Sequence, residues 1–333
     1  MKILLVGFYN PETMAYYVER TLLNMDHEVE VFGYRRILQK IKPDSLLSIG
    51  FRHFQGLSNL FEIKMNKDLR KKVSKKKYDL IIVFKGENIF PETLKFIKKH
   101  TKKLVNWFMD PFVALYKGYM FEIIPEFDKF FVKDRFLEKR LKEIGFHNVD
   151  FLMEGFDPLT FFRTNPSKKY ESEIALVGNI YPYRKKLLDT IKKYDLKVWG
   201  DVTHFKPKNK MKYYQGRRAV TEEKNKIFNS AKIVLNSHNP WEVMSTNVRT
   251  FEICGSGSFQ LVNTTDFLSQ VFKPGIEIET YENQTELNEK VKYYLKNPEK
   301  RKQIATKGYE RAKKDHTYEI RIKELFQSLE IKQ

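Results

Sequence analysis

A single cysteine, Cys254, in 333 residues leaves no intrachain disulfide and no cysteine-only zinc site. No apolar run approaches the ~18–20 residues of a membrane span, since the strand-like stretches Lys2–Phe8 and Leu80–Phe84 are far shorter. No His, Cys and Asp cluster has metal-ligand spacing, and no Asp-x-Asp pair sits in a strand context, so no metal and no cofactor are expected. The N-terminus carries one lysine and goes straight into a strand without the design of a secretory leader, which sets the expected location as cytoplasmic. Disordered and fibrous classes are excluded by 41% hydrophobic residues with 27 Phe and 18 Tyr, and by the lack of a repeat.

What is abundant is positive charge. Sixty-one Lys and Arg against 42 Asp and Glu give a net +19, which attracts polyanions: nucleic acid, an acidic membrane surface or phosphorylated ligands. The densest runs, Lys71, Lys72, Lys75, Lys76 and Lys77, then Lys98, Lys99, Lys102 and Lys103, fall at expected helix ends, where cations complement the helix dipole. They read as solvated faces, with a peripheral role at an acidic membrane surface, such as the inner face of the cell membrane, as the rival. No zinc-finger spacing, RNP-like string or recognition helix is present, so specific nucleic-acid binding is not expected.

The length suits about two domains. β-branched runs alternate with amphipathic stretches, the pattern of parallel sheets with helices on both faces. In the first half, strands are expected at Lys2–Phe8, Glu28–Phe32, Tyr78–Phe84, Lys103–Phe108, Lys129–Val132 and Val149–Leu152. Pro11 and Pro91 are placed in first helical turns. A composition change over Gly155–Ser172 reads as a linker. The alternation then restarts with strands Ile174–Asn179, Leu196–Gly200, Lys232–His238 and Phe259–Val262, and with helices over Tyr183–Tyr194, Thr221–Ser230, Asn247–Cys254 and Glu286–Lys314. The segment from His316 to Glu330 has one apolar face (Ile320, Ile322, Leu325, Phe326, Leu329) that needs a cover.

Two places carry candidate chemistry. Gly178 and Asn179 end a strand, with Tyr183, Arg184 and Lys185 at the next helix start; glycine admits a phosphate to the backbone and a helix N-terminus offers free N–H groups. The same residues also fit an ordinary strand–Gly–helix junction. The second place is Asn239–Asn263: Ser245 or Thr246 caps a helix that starts near Asn247, with Arg249 and the helix N-terminus suited to a diphosphate and Glu252 to ribose hydroxyls. An Arg249–Glu252 ion pair at i,i+3 is the competing reading.

These segments, Leu176–Ile191, Lys232–Glu242, Asn247–Asn263 and Phe272–Arg321, resemble the nucleotide-sugar glycosyltransferases of the spore-maturation (CgeB-like) group. The first half is similar only through Gly7, Val83–Glu87 and Trp107–Pro111. The resemblance implies an α/β fold of the GT-B type: two Rossmann-like doubly wound domains facing a cleft, with a C-terminal helix crossing back to the N-terminal domain. The corresponding division is 1–155 for the acceptor, 156–172 as linker and hinge, 173–315 for the nucleotide sugar, and 316–333 as the terminal helix. It implies a nucleoside-diphosphate-sugar donor and a separate acceptor; the reading adopted is transfer from such a donor, a UDP-sugar being favoured, to a hydroxyl on a cell-surface glycan, a lipid-linked intermediate or a protein, without a metal, Arg, Lys and helix dipoles stabilising the departing diphosphate. Gly178, Asn179, Arg184, Asn247, Arg249 and Glu252 are the implied donor residues, and Tyr183, Gly200 and His238, by their places at strand ends and a helix start, are counted with them as donor-site candidates. Many relatives space two glutamates by seven residues; here Glu242 precedes Glu252 with nine between.

In the first half, Asp110 is either a turn former or an acceptor-binding general base. Lys85 meets an anion or caps its strand, and Gly7 and Asn10 are further cleft candidates. Three alternatives stand beside transfer: a non-catalytic glycan- or membrane-binding subunit on the same fold, a nucleotide-sugar epimerase, and a nucleic-acid binder driven by bulk charge.

Overall fold

The computed structural model describes residues 1–34, 55–116, 118–203 and 211–331, with the backbone alone for 55–59. The chain forms two compact units, Met1–Met153 with Arg321–Gln333, and Glu154–Ile320.

In the first unit, β1 (Lys2–Gly7), β2 (Glu28–Gly33), β3 (Tyr78–Phe84), β4 (Thr101–Phe108), β5 (Lys129–Val132) and β6 (Val149–Phe151) form one sheet ordered β2-β1-β3-β4-β5-β6, with every pair parallel. Its described helices are α1 (Met14–Asn24), α2 (Gln55–Val73), α3 (Pro91–Lys98), α4 (Met120–Ile123) and α5 (Arg135–Glu143). Neighbouring strand residues point to opposite faces, and Ile3, Leu4, Leu5 and Val6 are all at 0% exposure. Both faces of β1 are therefore covered, which is why these strands read as unbroken apolar runs.

The second unit repeats the plan with β7 (Ser172–Val177), β8 (Leu196–Trp199), β9 (Ala231–Asn236), β10 (Gln260–Asn263) and β11 (Glu279–Tyr281), ordered β11-β10-β9-β7-β8 and again all parallel. Its helices are α6 (Pro182–Ile191), α7 (Thr221–Ser230), α8 (Val248–Gly255), α9 (Leu268–Val271), α10 (Gln284–Lys296) and α11 (Pro298–Asp315); α12 (Tyr318–Ser328) follows. In each sheet the strand order reverses once, at β1/β3 and at β7/β9. Ligands of open parallel sheets sit at the carboxyl ends of the strands where that reversal occurs.

Several expectations shift. Pro91 does open α3, whereas Pro11 lies in a turn before α1. Residues 156–172 are part of the second unit and not a free linker: Phe156 and Phe161 are 1% exposed, and a Cβ on Gly255 would lie 2.3 Å from the Phe156 ring. The helical stretch read over Glu286–Lys314 is two helices, broken at Asn297 where Pro298 starts the second. β11 was not expected, because three residues are too few to show a period. His316 ends α11 instead of starting the last helix; it is buried between the rings of Phe251 and Phe272. From Arg321 onward the chain belongs to the first unit. There Ile322, Leu325, Phe326 and Leu329 are buried, Phe326 packs edge-on against His27, and the Ser328 hydroxyl donates to Asp150 Oδ2 at 3.0 Å.

Part of the lysine run at the end of α2 and just beyond it has a structural task. Lys72 and Lys76 reach Glu30 of β2 at 2.7 and 2.5 Å, and these donors hold the Glu30 carboxyl down at about 2. A depressed carboxylate contributes stability above its unfolded value, and the contribution is lost as pH falls toward the folded one. Urea titrations of the native chain and Glu30→Gln should therefore show a constant gap above pH 4.5 that closes as the pH approaches about 2.

Candidate functional site

The site of the second unit is built at the β7/β9 reversal. After β7 the chain turns at Gly178, and after β8 it turns at Gly200. The two turns are so close that a Cβ on Gly200 would stand 2.1 Å from the Gly178 carbonyl oxygen, so only glycine fits. On its other side, a Cβ on Gly178 would lie 2.6 Å from Arg249 Nη1 and 3.4 Å from Arg184 Nη1. Two guanidinium groups thus converge over bare backbone.

Neither arginine pairs with a carboxylate among the described residues. Arg184, in the first turn of α6, is 2% exposed. Its Nη1 donates to the Asn179 carbonyl at 2.5 Å and its Nη2 to the Ser237 carbonyl at 2.7 Å, while Nε is buried without a partner. Burial, followed by the charge of Arg249, pulls its pKa down to about 10. Half-buried Arg249 donates through Nε to Asn236 Oδ1 at 3.3 Å and through Nη2 to the Ser237 carbonyl at 3.5 Å. Carbonyl dipoles orient this pair of cations without neutralising it, an arrangement that an anion would complete. The opening amides of α8, those of Val248 and Arg249, have no acceptor inside their own helix.

A buried polar network fixes this geometry. Asn236 closes β9 at 0% exposure. Its Nδ2 faces Asn247 Oδ1 at 3.1 Å, Thr250 Oγ1 at 3.1 Å and Gln260 Oε1 at 2.8 Å, and its Oδ1 accepts from Asn247 Nδ2 and the Ser237 amide as well as from Arg249. Asn247 is itself the N-cap of α8, accepting from the Thr250 amide; the cap is not Ser245 or Thr246. His238 braces the same loop: Nδ1 donates to the Asn263 carbonyl at 3.1 Å and Nε2 meets the Thr246 hydroxyl at 2.7 Å. Beside the arginines lies a cavity of about 450 Å³ lined by residues that include Tyr183, Ser237, His238, Glu242, Asn263 and Tyr281. The Tyr183 hydroxyl is buried without a partner, and burial raises its pKa. Glu242 is buried, its Oε2 accepting from the Asn239 amide at 3.0 Å.

Glu252 is buried on α8. It forms no ion pair with Arg249; its carboxylate instead receives Lys224 of α7, whose ammonium also lies over the Phe161 and Phe228 rings. Gly178, Asn179, Tyr183, Arg184, Gly200, His238, Asn247 and Arg249 are brought together, while Glu252 sits further along α8.

The carboxyl ends of β1, β3 and β4 carry the candidates of the first unit. Gly7 leaves room for Phe84, to which a Cβ would come within 2.9 Å. Asn10 is a turn residue: its Oδ1 accepts from the Glu12 amide and its carbonyl from the Thr13 hydroxyl ahead of α1. Lys85, in a left-handed conformation at φ 64°, pairs with Asp110 at 2.6 Å, so the two candidates form one ion pair.

Sequence reasoning missed Asn236 as the hub, Gln260 and Lys224. A polar residue ending an apolar strand was the available signal for Asn236; nothing in the spacing links Lys224 to Glu252. Asn236→Ala should cost about 2–3 kcal/mol in chemical unfolding, because it strands the Gln260 and Asn247 amides in a dry interior. Gly200→Ala should cost about 1–3 kcal/mol by forcing the Gly178 turn aside.

The comparisons with known proteins agree with this architecture. A family model described as "Glycosyl transferase-like" matches residues 184–327. The spore protein CgeB of Bacillus subtilis is 24% identical over 253 residues, 69% of this chain and 76% of that protein. Among solved structures, sucrose-phosphate synthase of Thermosynechococcus elongatus superposes with a TM-score of 0.66 at 11% identity, over 99% of each chain. Alr3699/HepE of Anabaena, solved in complex with UDP-glucose, superposes with a TM-score of 0.66 at 12% identity, over 99% of this chain and 100% of that one. At such identities the superpositions establish the fold, and the chain has the fold of the GT-B glycosyltransferases.

Proposed function

We propose that the protein transfers a sugar from a nucleoside-diphosphate sugar to a hydroxyl acceptor, with the donor held by the second unit. The observation that carries this reading is the pair Arg184 and Arg249, converging on Gly178 with no carboxylate partner among the described residues. A diphosphate placed there would receive bidentate guanidinium contacts and the first-turn amides of α8. The same charges would stabilise the diphosphate as it leaves, the step at which negative charge develops, so the transfer is proposed to need no metal. The adjoining cavity, rich in acceptors such as Glu242 and the Asn263 amide, suits the hydroxyls or base N–H groups of a nucleoside sugar. Uracil is the favoured base because a structural relative was solved with UDP-glucose. On the first unit, the Lys85–Asp110 pair is the proposed acceptor-side group, Asp110 serving as general base. The acceptor is proposed to be a glycan, a lipid-linked intermediate or a protein.

Calorimetric titration with UDP, GDP, dTDP and CMP should give saturable binding for one base class. Arg249→Ala should weaken it by about 10–100-fold in a folded protein, the magnitude of one lost charge-assisted contact. With the matching sugar donor, transfer should survive EDTA. Asp110→Asn should lower kcat by roughly 10²-fold or more while the donor Kd stays fixed. Binding with no turnover for any acceptor class would favour the non-catalytic subunit, and no binding of any nucleotide would reject the donor site.

A further inference from the structure

The solvent face of α2 has a composition that the fold does not require. The helix buries Met65, Leu69 and Val73. On the opposite side, Leu60, Ile63, Lys64, Lys67 and Lys71 fall within about 100° of arc at 3.6 residues per turn, and Lys75 follows just past the helix end. Leu60 is 64% and Ile63 54% exposed, and Lys64, Lys67, Lys71 and Lys75 are exposed as well. Among the described residues the acid on this face is Asp68, which reaches Lys64 only at 3.6 Å. Several lysines elsewhere in the unit are matched to acids, as Lys72 and Lys76 are to Glu30 and Lys102 to Asp79, while Lys77 donates to the Lys99 carbonyl. Lys67, Lys71 and Lys75 have no such match among the described residues.

We infer that this face of α2 docks the protein on an anionic lipid bilayer. Lysines in a row supply the attraction to acidic headgroups, and two aliphatic side chains at one end of the row supply the apolar insertion that marks helices lying in a membrane interface. Charge complementarity alone would also admit nucleic acid, but among the described residues the arginine at the edge of this face, Arg70, is turned to Thr93 and the Phe96 ring, the arc itself holds no aromatic ring for stacking, and exposed Leu and Ile add nothing to a phosphate backbone. No helix among the described residues is long and apolar enough to cross a membrane, so the contact is peripheral.

Co-sedimentation of the full chain with vesicles tests this, comparing phosphatidylcholine alone with an equal mixture of phosphatidylcholine and phosphatidylglycerol. The protein should pellet with the mixture and not with phosphatidylcholine alone. Lys67→Glu with Lys71→Glu should reduce the partition coefficient by roughly tenfold or more, on the basis of about fivefold per lysine. Leu60→Ser with Ile63→Ser should reduce it too and leave the remaining binding fully reversible by salt. Lys302→Glu with Lys307→Glu, an equal charge change on exposed positions of α11, should change it far less. The inference is overturned if the α11 pair matches the α2 pair, since bulk charge then explains the binding. It is equally overturned if the mixture binds no protein, or if the α2 variants bind as the native chain does. Melting curves of each variant confirm that it is folded.

Discussion

Two guanidinium groups held close together, neither ion-paired with a carboxylate among the described residues, are the constraint on which the second unit turns. Like charges brought into a poorly solvated place repel, and the lowered pKa of Arg184 records both its burial and the proximity of Arg249. Folding tolerates this only because the surroundings over-determine it. The Ser237 carbonyl faces both arginines, the Asn179 carbonyl takes a further hydrogen of Arg184, and Asn236 fixes Arg249 through a side chain that simultaneously ties β9, β10 and the cap of α8. Locally costly arrangements that persist in this way are typical of sites that await a ligand.

The topology explains why the charges meet where they do. A parallel sheet whose strand order reverses leaves a crevice at the strand ends, and Gly178 and Ser237 follow the two strands, β7 and β9, that flank the reversal. The glycines are then dictated by space: Gly200 makes room for the Gly178 turn and Gly178 for the guanidiniums. The first unit has its own reversal, at β1/β3, and the Lys85–Asp110 pair lies just beyond it, past the carboxyl ends of β3 and β4. That pair is balanced, in contrast to the two arginines of the second unit, which face carbonyl oxygens.

Much of this was legible in the chain, for physical reasons that also mark the limits. β1, β3 and β9 are covered on both faces, so their apolar runs stand out in one dimension; β11 has three residues and does not. Arg184 and Arg249 were readable because each lies at a helix start after a strand, a local pattern. Glu252 was placed on the right helix, but its partner Lys224 comes from α7, 28 positions earlier, and no local rule reports such a pairing. The segment after Gly155 looked like a linker by composition, yet Phe156 fills the space that Gly255 leaves. Proline and glycine mark turns whether or not the turn is packed.

If the arginine pair exists to hold a diphosphate, its charge should be a burden in the absence of one. Melting temperatures of the native chain and Arg249→Gln, each in chloride and in pyrophosphate at matched ionic strength, test this most directly. The account predicts that Arg249→Gln is at least as stable as the native chain in chloride, and that pyrophosphate raises the melting temperature of the native chain alone. A variant destabilised in chloride, together with a native chain indifferent to pyrophosphate, would show that Arg249 is a structural residue and would contradict the account.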